Sequence, residues 1–277
     1  MKDAATRDAY GETLLEMGEN PNIVVLDSGV SDSTRTKKFG QKFPDRFFNM
    51  GIAEADMVCT AAGLATTGKI PFATSFACFL LGRTMDQILV SVAYSNTNVK
   101  LVGTHCGIAV GEDGPSAQMI VDLAYTRAIP NMTVVQPADW EETVQATKAL
   151  TKYYGPVYFR LGRPKVKAIF DTSYQFELGK GKLIEQGSDL IIFATGSMVQ
   201  ESLVAMEFLR KEKINISLVN ISTIKPIDRD IIIEQAKKHN AIITAEDHNI
   251  FGGLGDAVGE VLLDNQIAVP FTRIAVK

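Results

Sequence analysis

Short apolar runs rich in valine and isoleucine alternate along the chain with longer amphipathic stretches. The runs predict buried strands at Asn22–Leu26, Val99–Gly103, Thr133–Gln136, Pro156–Leu161, Asp189–Thr195, Ile216–Asn220 and Ala241–Ala245. The stretches predict helices at Asp3–Glu19, Glu54–Thr67, Leu81–Tyr94, Asp139–Tyr153, Met198–Glu212 and Asp228–His239. Fully apolar strands that alternate with helices are typical of a parallel sheet covered on both faces. The pattern therefore predicts an α/β fold.

The alternation weakens once, between Arg163 and Gln186, where the sequence is charged, contains glycine and has little periodicity. Such a stretch is typical of a linker or crossover. We therefore predict a first domain over 1–165, a linker over 166–185 and a smaller second domain over 186–277.

Composition narrows the class of protein. The chain has 277 residues, of which 46% are hydrophobic and 22% charged, as in a globular protein of one large or two ordinary domains. Lys and Arg total 28 against 32 Asp and Glu, a net charge of −4. This balance argues against a nucleic-acid partner, which needs a basic face.

Cysteine usage and hydropathy suggest a compartment. Cys59, Cys78 and Cys106 form no CxxC pair, which is typical of a reducing environment and argues against a disulfide framework or a structural zinc site. The first ten residues are charged, unlike a secretory signal, and no apolar run approaches the roughly 18 residues of a membrane span. We expect a cytoplasmic protein without a membrane partner.

Two segments do not read as ordinary packing. Gly103–Gln118, GTHCGIAVGEDGPSAQ, follows an apolar strand, and loops at the carboxyl ends of parallel strands are where ligands bind. Glu54 stands at the start of an Ala-rich helix, where a carboxylate can also simply favour the helix N-terminus. A third Gly-rich segment, Phe251–Asp256, has the wrong spacing for a dinucleotide turn and reads as a loop that opens the last helix.

Four ordered segments carry a resemblance to a known family. They are NMGIAEADMVCTAAGLA, FATSFACFLLGR, THCGIAVGEDGPSAQ, and NISTIKPID with AEDHNIFGGLG. Together they resemble the carboxyl-terminal half of transketolase over essentially the whole chain. The resemblance implies a pyrimidine-binding domain for thiamine diphosphate, with a parallel sheet between helices, followed by a smaller α/β C-terminal domain.

The resemblance also implies a cofactor and a partner. Transketolases bind thiamine diphosphate with Mg²⁺, and the pyrophosphate side of the site carries a GDG…N signature that this sequence does not contain. We therefore expect the Mg²⁺ ligands on a separate N-terminal subunit, no metal ligand in this chain, and an α2β2 heterotetramer.

The resemblance assigns the cofactor pocket to four residues. Glu54 matches the glutamate that bonds N1′ of the aminopyrimidine and so activates the cofactor. Phe76 and Phe79 match aromatic positions around the pyrimidine ring, although core packing is the commoner fate of a phenylalanine. Asp27, at the end of the first strand, matches a residue near the thiazolium.

Substrate contacts are carried over in the same way. His105 matches the histidine that contacts substrate hydroxyls and assists proton transfer, with a hydrogen-bonded loop histidine as the structural alternative. Asp113 matches the aspartate that recognises the C2 hydroxyl of the acceptor aldehyde. Arg7, Ser31 and Arg163 match positions that hold the distal phosphate of sugar phosphates, a task that suits the guanidinium fork of arginine. Arg160 lies close enough in sequence to be the phosphate ligand instead of Arg163.

Two departures from the family pattern put the sugar in doubt. Gly82 stands where many relatives carry a third aromatic, so another group must complete the ring's pocket. Ala117 replaces a histidine that contacts donor hydroxyls in relatives. A lost buried polar donor removes about 1–3 kcal/mol of discrimination. A sugar with another anionic tail, such as a sulfonate, would also suit an arginine pair.

The leading hypothesis is a transferase subunit of carbohydrate metabolism, of the pentose phosphate kind, that moves a two-carbon ketol unit from a ketose phosphate to an aldose phosphate. The β chain of a 2-oxoacid dehydrogenase and a deoxyxylulose-phosphate synthase-like enzyme are alternatives that share the cofactor. A non-catalytic partner subunit is an alternative of a different class.

Overall fold

The computed structural model describes residues 2–277, in which strands and helices alternate as the pattern predicts. The strands are β1 (Ala4–Ala5), β2 (Ile23–Asp27), β3 (Phe47–Asn49), β4 (Ile70–Phe76), β5 (Lys100–Thr104), β6 (Thr133–Val135), β7 (Val157–Arg160), β8 (Lys165–Val166), β9 (Lys182–Glu185), β10 (Leu190–Ala194), β11 (Ile216–Asn220), β12 (Thr223–Lys225), β13 (Ile242–Asn249) and β14 (Phe271–Val276). The helices are α1 (Thr6–Met17), α2 (Ser31–Thr34), α3 (Lys37–Lys42), α4 (Glu54–Thr66), α5 (Ala77–Gly82), α6 (Met85–Gln87), α7 (Asp122–Ala128), α8 (Trp140–Lys152), α9 (Met198–Lys211), α10 (Arg229–Ala236) and α11 (Leu254–Asp264). The predicted α/β class is confirmed.

A seven-stranded sheet forms the first half, in the order β12-β6-β7-β5-β4-β2-β3. Its strands are parallel except for β12. Successive side chains of β2 enter different cores, Ile23 and Val25 on one side and Val24 and Leu26 on the other. Alternate side chains of a strand point to opposite faces, so the sheet is buried on both. The carboxyl ends of β2, β4, β5 and β7 meet at one edge.

A five-stranded sheet forms the second half, in the order β14-β13-β10-β11-β9. The neighbours are parallel except for β9, which pairs antiparallel with β11. Strand β9 falls inside the segment 166–185 that the sequence marks as a linker. That stretch is therefore partly a sheet strand, and its weak periodicity reflects an edge strand that is only partly buried.

One strand of the second half belongs to the first sheet. β12 pairs antiparallel with β6, with Thr223 opposite Val135, and Lys225 Nζ donates to the carbonyl of Arg127 at 2.8 Å. The sequence pattern did not predict this crossover, because a three-residue strand carries no periodicity of its own.

Two local differences from the predicted elements lie next to the candidate site. β4, a central strand, was not among the predicted strands, although all but its first residue are buried. The single helix predicted over Leu81–Tyr94 is instead interrupted: α5 ends at Gly82, Arg83 and Thr84 are not helical, and a π-helical segment follows at Ile88–Tyr94. Gly82 weakens the helix there, and the Thr84 hydroxyl donates to the carbonyl of Leu80.

The loop predicted to open the last helix is confirmed, since α11 begins at Leu254, directly after Gly253. In residues 2–277, no helix combines the length and apolar character that crossing a membrane requires.

Candidate functional site

The candidate site lies at the carboxyl edge of the seven-stranded sheet. Asp27 ends β2, Phe76 ends β4 and His105 directly follows β5. Arg163 lies three residues beyond β7. Because these strands are parallel, residues far apart in the sequence converge at this edge.

Glu54 is the first residue of α4 and is only 3% exposed. Its Oε2 accepts a hydrogen bond from Arg83 Nη1 at 3.0 Å, although about half of the Arg83 side chain is exposed. Among residues 2–277, Oε1 of Glu54 has no hydrogen-bond donor. The Glu54 side chain is thus largely buried, held through one carboxylate oxygen, and able to bind a donor through the other.

Four planar groups form a stack beside this carboxylate. The His105 ring lies 3.7 Å from the Phe76 ring, and the Phe76 and Phe79 rings are parallel to within 8° at 5.5 Å between centroids. The Arg83 guanidinium lies 4.6 Å from the Phe79 centroid, a favourable cation–π distance. The stack links the neighbourhood of Glu54 to His105.

Arg83 is a site residue that the sequence reasoning missed. Its neighbour Gly82, where the resemblance leads one to expect an aromatic, has open space around the position of a Cβ. The guanidinium of Arg83 supplies a flat surface beside Phe79. An arginine directly after that glycine was the only signal in the sequence.

His105 is buried and held in one tautomer. Arg7 Nη1 donates to His105 Nε2 at 2.8 Å, so the ring proton lies on Nδ1 and is donated to Thr104 Oγ1 at 2.9 Å. Burial, aided by the positive charges of Arg7, Arg163 and Arg35, lowers the pKa of His105 to about 3. The imidazole is therefore neutral at physiological pH.

Three arginines gather near His105. Burial and the charges of Arg35 and Arg163 lower the pKa of Arg7. The Nε atom of Arg7 is buried and has no hydrogen-bond partner in the described residues 2–277, and its Nη1 also donates to the carbonyl of Ser33 at 3.0 Å. Mutually repelling cations and an unsatisfied buried donor favour binding of an anion. Arg35, which the sequence reasoning did not select, adds a third charge.

The predicted substrate residues Ser31, Asp113 and Arg163 lie around this cluster. Ser31 begins α2, next to the Ser33 carbonyl that Arg7 binds. Arg163 pairs with Glu112 at 3.0 Å and lowers the pKa of that carboxyl to about 2 by its hydrogen bond. The negative charge of Asp113 acts on both Arg7 and Arg163.

Arg160 forms a buried ion pair and does not join the arginine cluster. Its Nε donates to Asp122 Oδ2 at 2.6 Å, and both side chains are almost completely buried. Tyr158 donates to the same carboxylate. The guanidinium is thus committed to the core, so of the two candidate phosphate ligands only Arg163 remains at the site.

Asp27 does not face the open part of the site. It is fully buried, and its carboxylate accepts hydrogen bonds from the Val30 amide and from the hydroxyls of Thr34 and Thr36 at 2.6–2.9 Å. Burial raises its pKa. The Asp27 side chain thus holds the turn that carries Ser31 and Arg35, and its contact with the cofactor stays a prediction.

A surface groove of about 520 Å³ meets the site at Ser31 and Arg35. It is lined by Asp8, Arg35, Lys37, Trp140 and further charged residues, and not by Glu54, Phe79 or His105. Most of its charges are already paired, as Arg35 with Asp8 and Lys37 with Asp32. The groove is therefore a weaker candidate for chemistry than the sheet edge.

Comparison with known proteins gives consistent matches over the whole chain. Residues 2–168 match the family model for the transketolase pyrimidine-binding domain, and residues 179–277 match that for the transketolase C-terminal domain. A protein of Methanocaldococcus jannaschii described as a transketolase C-terminal section is 48% identical over 98% of this chain and 85% of its own length. The 6-deoxy-6-sulfo-D-fructose transketolase subunit SqwH of a Clostridium species is 40% identical over 98% of this chain and 84% of its own.

A solved structure described as a split gene transketolase, an inactive β4 tetramer, has the same fold. It is 45% identical to this chain, superposes with a TM-score of 0.91, and the match covers all of this chain and 90% of the other.

Proposed function

This chain belongs to the transketolase family and is an enzyme subunit of it, and from that premise we propose that it transfers a two-carbon ketol unit from a ketose phosphate to an aldose phosphate. The family depends on thiamine diphosphate. The observation that carries the proposal is the convergence, at one sheet edge, of the shielded Glu54 carboxylate, the aromatic stack and the arginine cluster around His105.

The residues present fit the aminopyrimidine of the cofactor. Glu54 is shielded from water and has one carboxylate oxygen without a donor in residues 2–277, which suits a hydrogen bond to N1′. Phe76 and Phe79 supply the aromatic rings of the stack that begins at Arg83, the partner of Glu54. When bound, thiamine diphosphate supplies the nucleophilic thiazolium carbon that carries the two-carbon unit between sugars. Asp27, at the end of β2, would lie near the thiazolium, and its carboxylate also holds the turn that carries Ser31.

The substrate's hydroxyls and anionic end suit the other half of the site. Because the Nδ1 proton of His105 is bound to Thr104, Nε2 would accept a hydrogen bond from a substrate hydroxyl in place of the one from Arg7 Nη1. Asp113 can accept a hydrogen bond from a sugar hydroxyl. Arg7, Ser31 and Arg163 would hold the distal phosphate, and the unpartnered Nε of Arg7 leaves a donor for it.

The partner in this proposal is an N-terminal subunit with the pyrophosphate-binding domain and the Mg²⁺ ligands, joined in a cytoplasmic α2β2 heterotetramer. Two relatives of comparable length support it, one named as a C-terminal section and one as a subunit. The split gene relative described as an inactive β4 tetramer is also of comparable length.

A second candidate is the same reaction on a sugar with a sulfonate tail. The relative from Clostridium bears the name of a sulfo-fructose transketolase subunit. Arg35, the third arginine near His105, provides positive charge that suits either anion. The two candidates share the mechanism and differ only in the donor sugar.

The test compares the chain alone with the chain co-expressed with its genomic neighbour. Calorimetry should detect tight binding of thiamine diphosphate and Mg²⁺ only in the mixture, and the mixture should turn over xylulose 5-phosphate with ribose 5-phosphate but not pyruvate. Tight binding by the lone chain would overturn the proposed division of the site. Glu54→Ala should abolish turnover in the assembled complex, and normal turnover would exclude the catalytic assignment.

A further inference from the structure

A carboxylate of the second half reaches the Gly-rich loop of the first. Asp247 lies in β13, and its Oδ1 accepts a hydrogen bond from the backbone amide of Ile108 at 3.0 Å. The carbonyl of Asp247 accepts from Arg160 Nη2 at 2.9 Å, which ties the same residue to the buried Arg160–Asp122 ion pair at the end of β7. Asp247 is therefore fixed at its backbone while its side chain holds the 105–118 loop.

Gly107, next to Ile108, leaves the space that the Asp247 carboxylate occupies. Gly107 has φ +77°, and a Cβ at this position would lie 1.8 Å from Asp247 Oδ2. No side chain can occupy that space while the carboxylate remains. The close approach explains why glycine stands here, beyond the turn itself.

Hydrogen bonds within the first half also hold the 105–118 loop near Ile108. The amide of Gly107 donates to the carbonyl of Met119 at 2.8 Å, and Gln118 Nε2 donates to the carbonyl of Ile108 at 2.8 Å. Asp247 holds the amide of Ile108 itself, so that residue is fixed through both its backbone polar groups. His105 lies three residues before it and Asp113 five residues after it.

We propose that Asp247 is a positioning residue of the site, which fixes the 105–118 loop and thereby places His105 and Asp113 for the substrate. The proposal rests on the proposed function for its kinetic part. A reacting group displaced by about 1 Å can lose on the order of 100-fold in rate. The hydrogen bond between Asp247 and the loop, which we call the brace, can therefore affect kcat without touching the substrate. The second half of the chain thus takes part in the site.

Amide hydrogen exchange on the full-length chain alone tests the brace without any cofactor. Asp247→Ala removes the acceptor and should speed exchange across 107–118 at least about tenfold, whereas Asp247→Asn keeps an oxygen acceptor and should stay near wild type. Gly107→Ala should produce the same loosening from the other side. Asp264→Ala, which removes an exposed partner of Arg229, is the matched control. Unchanged exchange in both Asp247→Ala and Gly107→Ala would overturn the proposal.

Kinetics of the assembled complex test the effect on the site. Asp247→Ala should raise KM for the aldose and lower kcat, each about tenfold, with the affinity for thiamine diphosphate unchanged and with most activity restored in Asp247→Asn. Faster loop exchange with unchanged KM and kcat would overturn the positioning role. An inactive wild-type complex would instead contradict the proposed function, while the exchange result would still decide whether the brace exists.

Discussion

Arg83 Nη1 and Glu54 Oε2 lie 3.0 Å apart, which joins a half-exposed guanidinium to a carboxylate that is only 3% exposed. The two residues are 29 positions apart in the sequence, and Arg83 lies where the helix after β4 is interrupted. A buried carboxylate that loses its cation becomes an unpaired charge in a poorly solvated place.

We therefore predict a measurable coupling between these two side chains. In a double-mutant cycle of Arg83→Gln and Glu54→Gln, urea unfolding should give an interaction free energy of about 1 kcal/mol, modest because Arg83 is half in water. Arg229→Gln with Asp264→Asn, an exposed pair in the second half, should give a value near zero. Equal coupling for the two pairs would mean that the burial of Glu54 has no energetic consequence.

The charge state of His105 gives a second prediction. Burial and nearby arginines lower its pKa to about 3, so NMR of the 13C-labelled imidazole should find a neutral ring throughout the physiological range. Because the folded chain binds fewer protons than the unfolded one between about pH 3 and pH 6.5, this residue makes stability fall as pH falls through that window. Inorganic phosphate should raise the pKa of His105 by offsetting the arginine charges. A titration of His105 near pH 6.5 would contradict this account.

Lys100 gives a prediction that is independent of the site. Its side chain is fully buried, and its Nζ donates to Asn98 and to the carbonyls of Tyr153 and Gly155. Burial lowers its pKa to about 7. The folded chain therefore binds fewer protons than the unfolded chain from about pH 7 to about pH 10.4, and stability should rise with pH there.

The measurement for Lys100 is urea unfolding at several pH values in that window. Lys100→Met should remove a slope of up to about 1.4 kcal/mol per pH unit, while Lys38→Met, at an exposed position, should leave the slope intact. An unchanged slope in Lys100→Met would show that the lysine titrates alike in both states.

Arg160, the last residue of β7, and Arg163, three residues beyond it, should respond to substitution in opposite ways. Arg163→Ala should leave the free energy of unfolding within about 0.5 kcal/mol and raise KM for a phosphorylated sugar about tenfold or more, with little effect on an unphosphorylated one. Arg160→Ala leaves Asp122 buried and uncompensated and should cost about 3–5 kcal/mol of stability. Steady-state kinetics on both kinds of sugar, with thermal unfolding of each variant, separates the roles. A stable Arg160→Ala with a high KM would reverse the assignment.

Much of the fold could be predicted because apolar strands and amphipathic helices alternate so regularly. What escaped prediction depends on contacts between distant residues. β4 was absent from the predicted strands since its residues Pro71, Thr74 and Ser75 break an otherwise apolar run, yet the strands on either side bury it. The interruption after Gly82 coincides with a hydrogen bond from the Thr84 hydroxyl to the carbonyl of Leu80, which no periodicity reveals.

The sequence predicted which residues belong to the candidate site. It did not predict which of their atoms contact one another. Ordered motifs selected Glu54, His105 and Arg163, and the parallel sheet brings their elements to one edge. The Arg7–His105 hydrogen bond spans 98 positions, and its effect on the imidazole follows only from that proximity. Asp27 was selected for its strand end, whereas the three local donors that its carboxylate accepts from could not be read from the sequence.

The crossing strand β12 has a consequence for how such a gene can be divided. Cutting the chain between the two halves would remove Thr223–Lys225 from the edge of the first sheet and leave the outward backbone groups of β6 without their partner. An uncovered edge is a template for aggregation. Recombination that exchanged one half for that of another protein would also disturb the pairing of β12 with β6. The two halves are therefore expected to be inherited together.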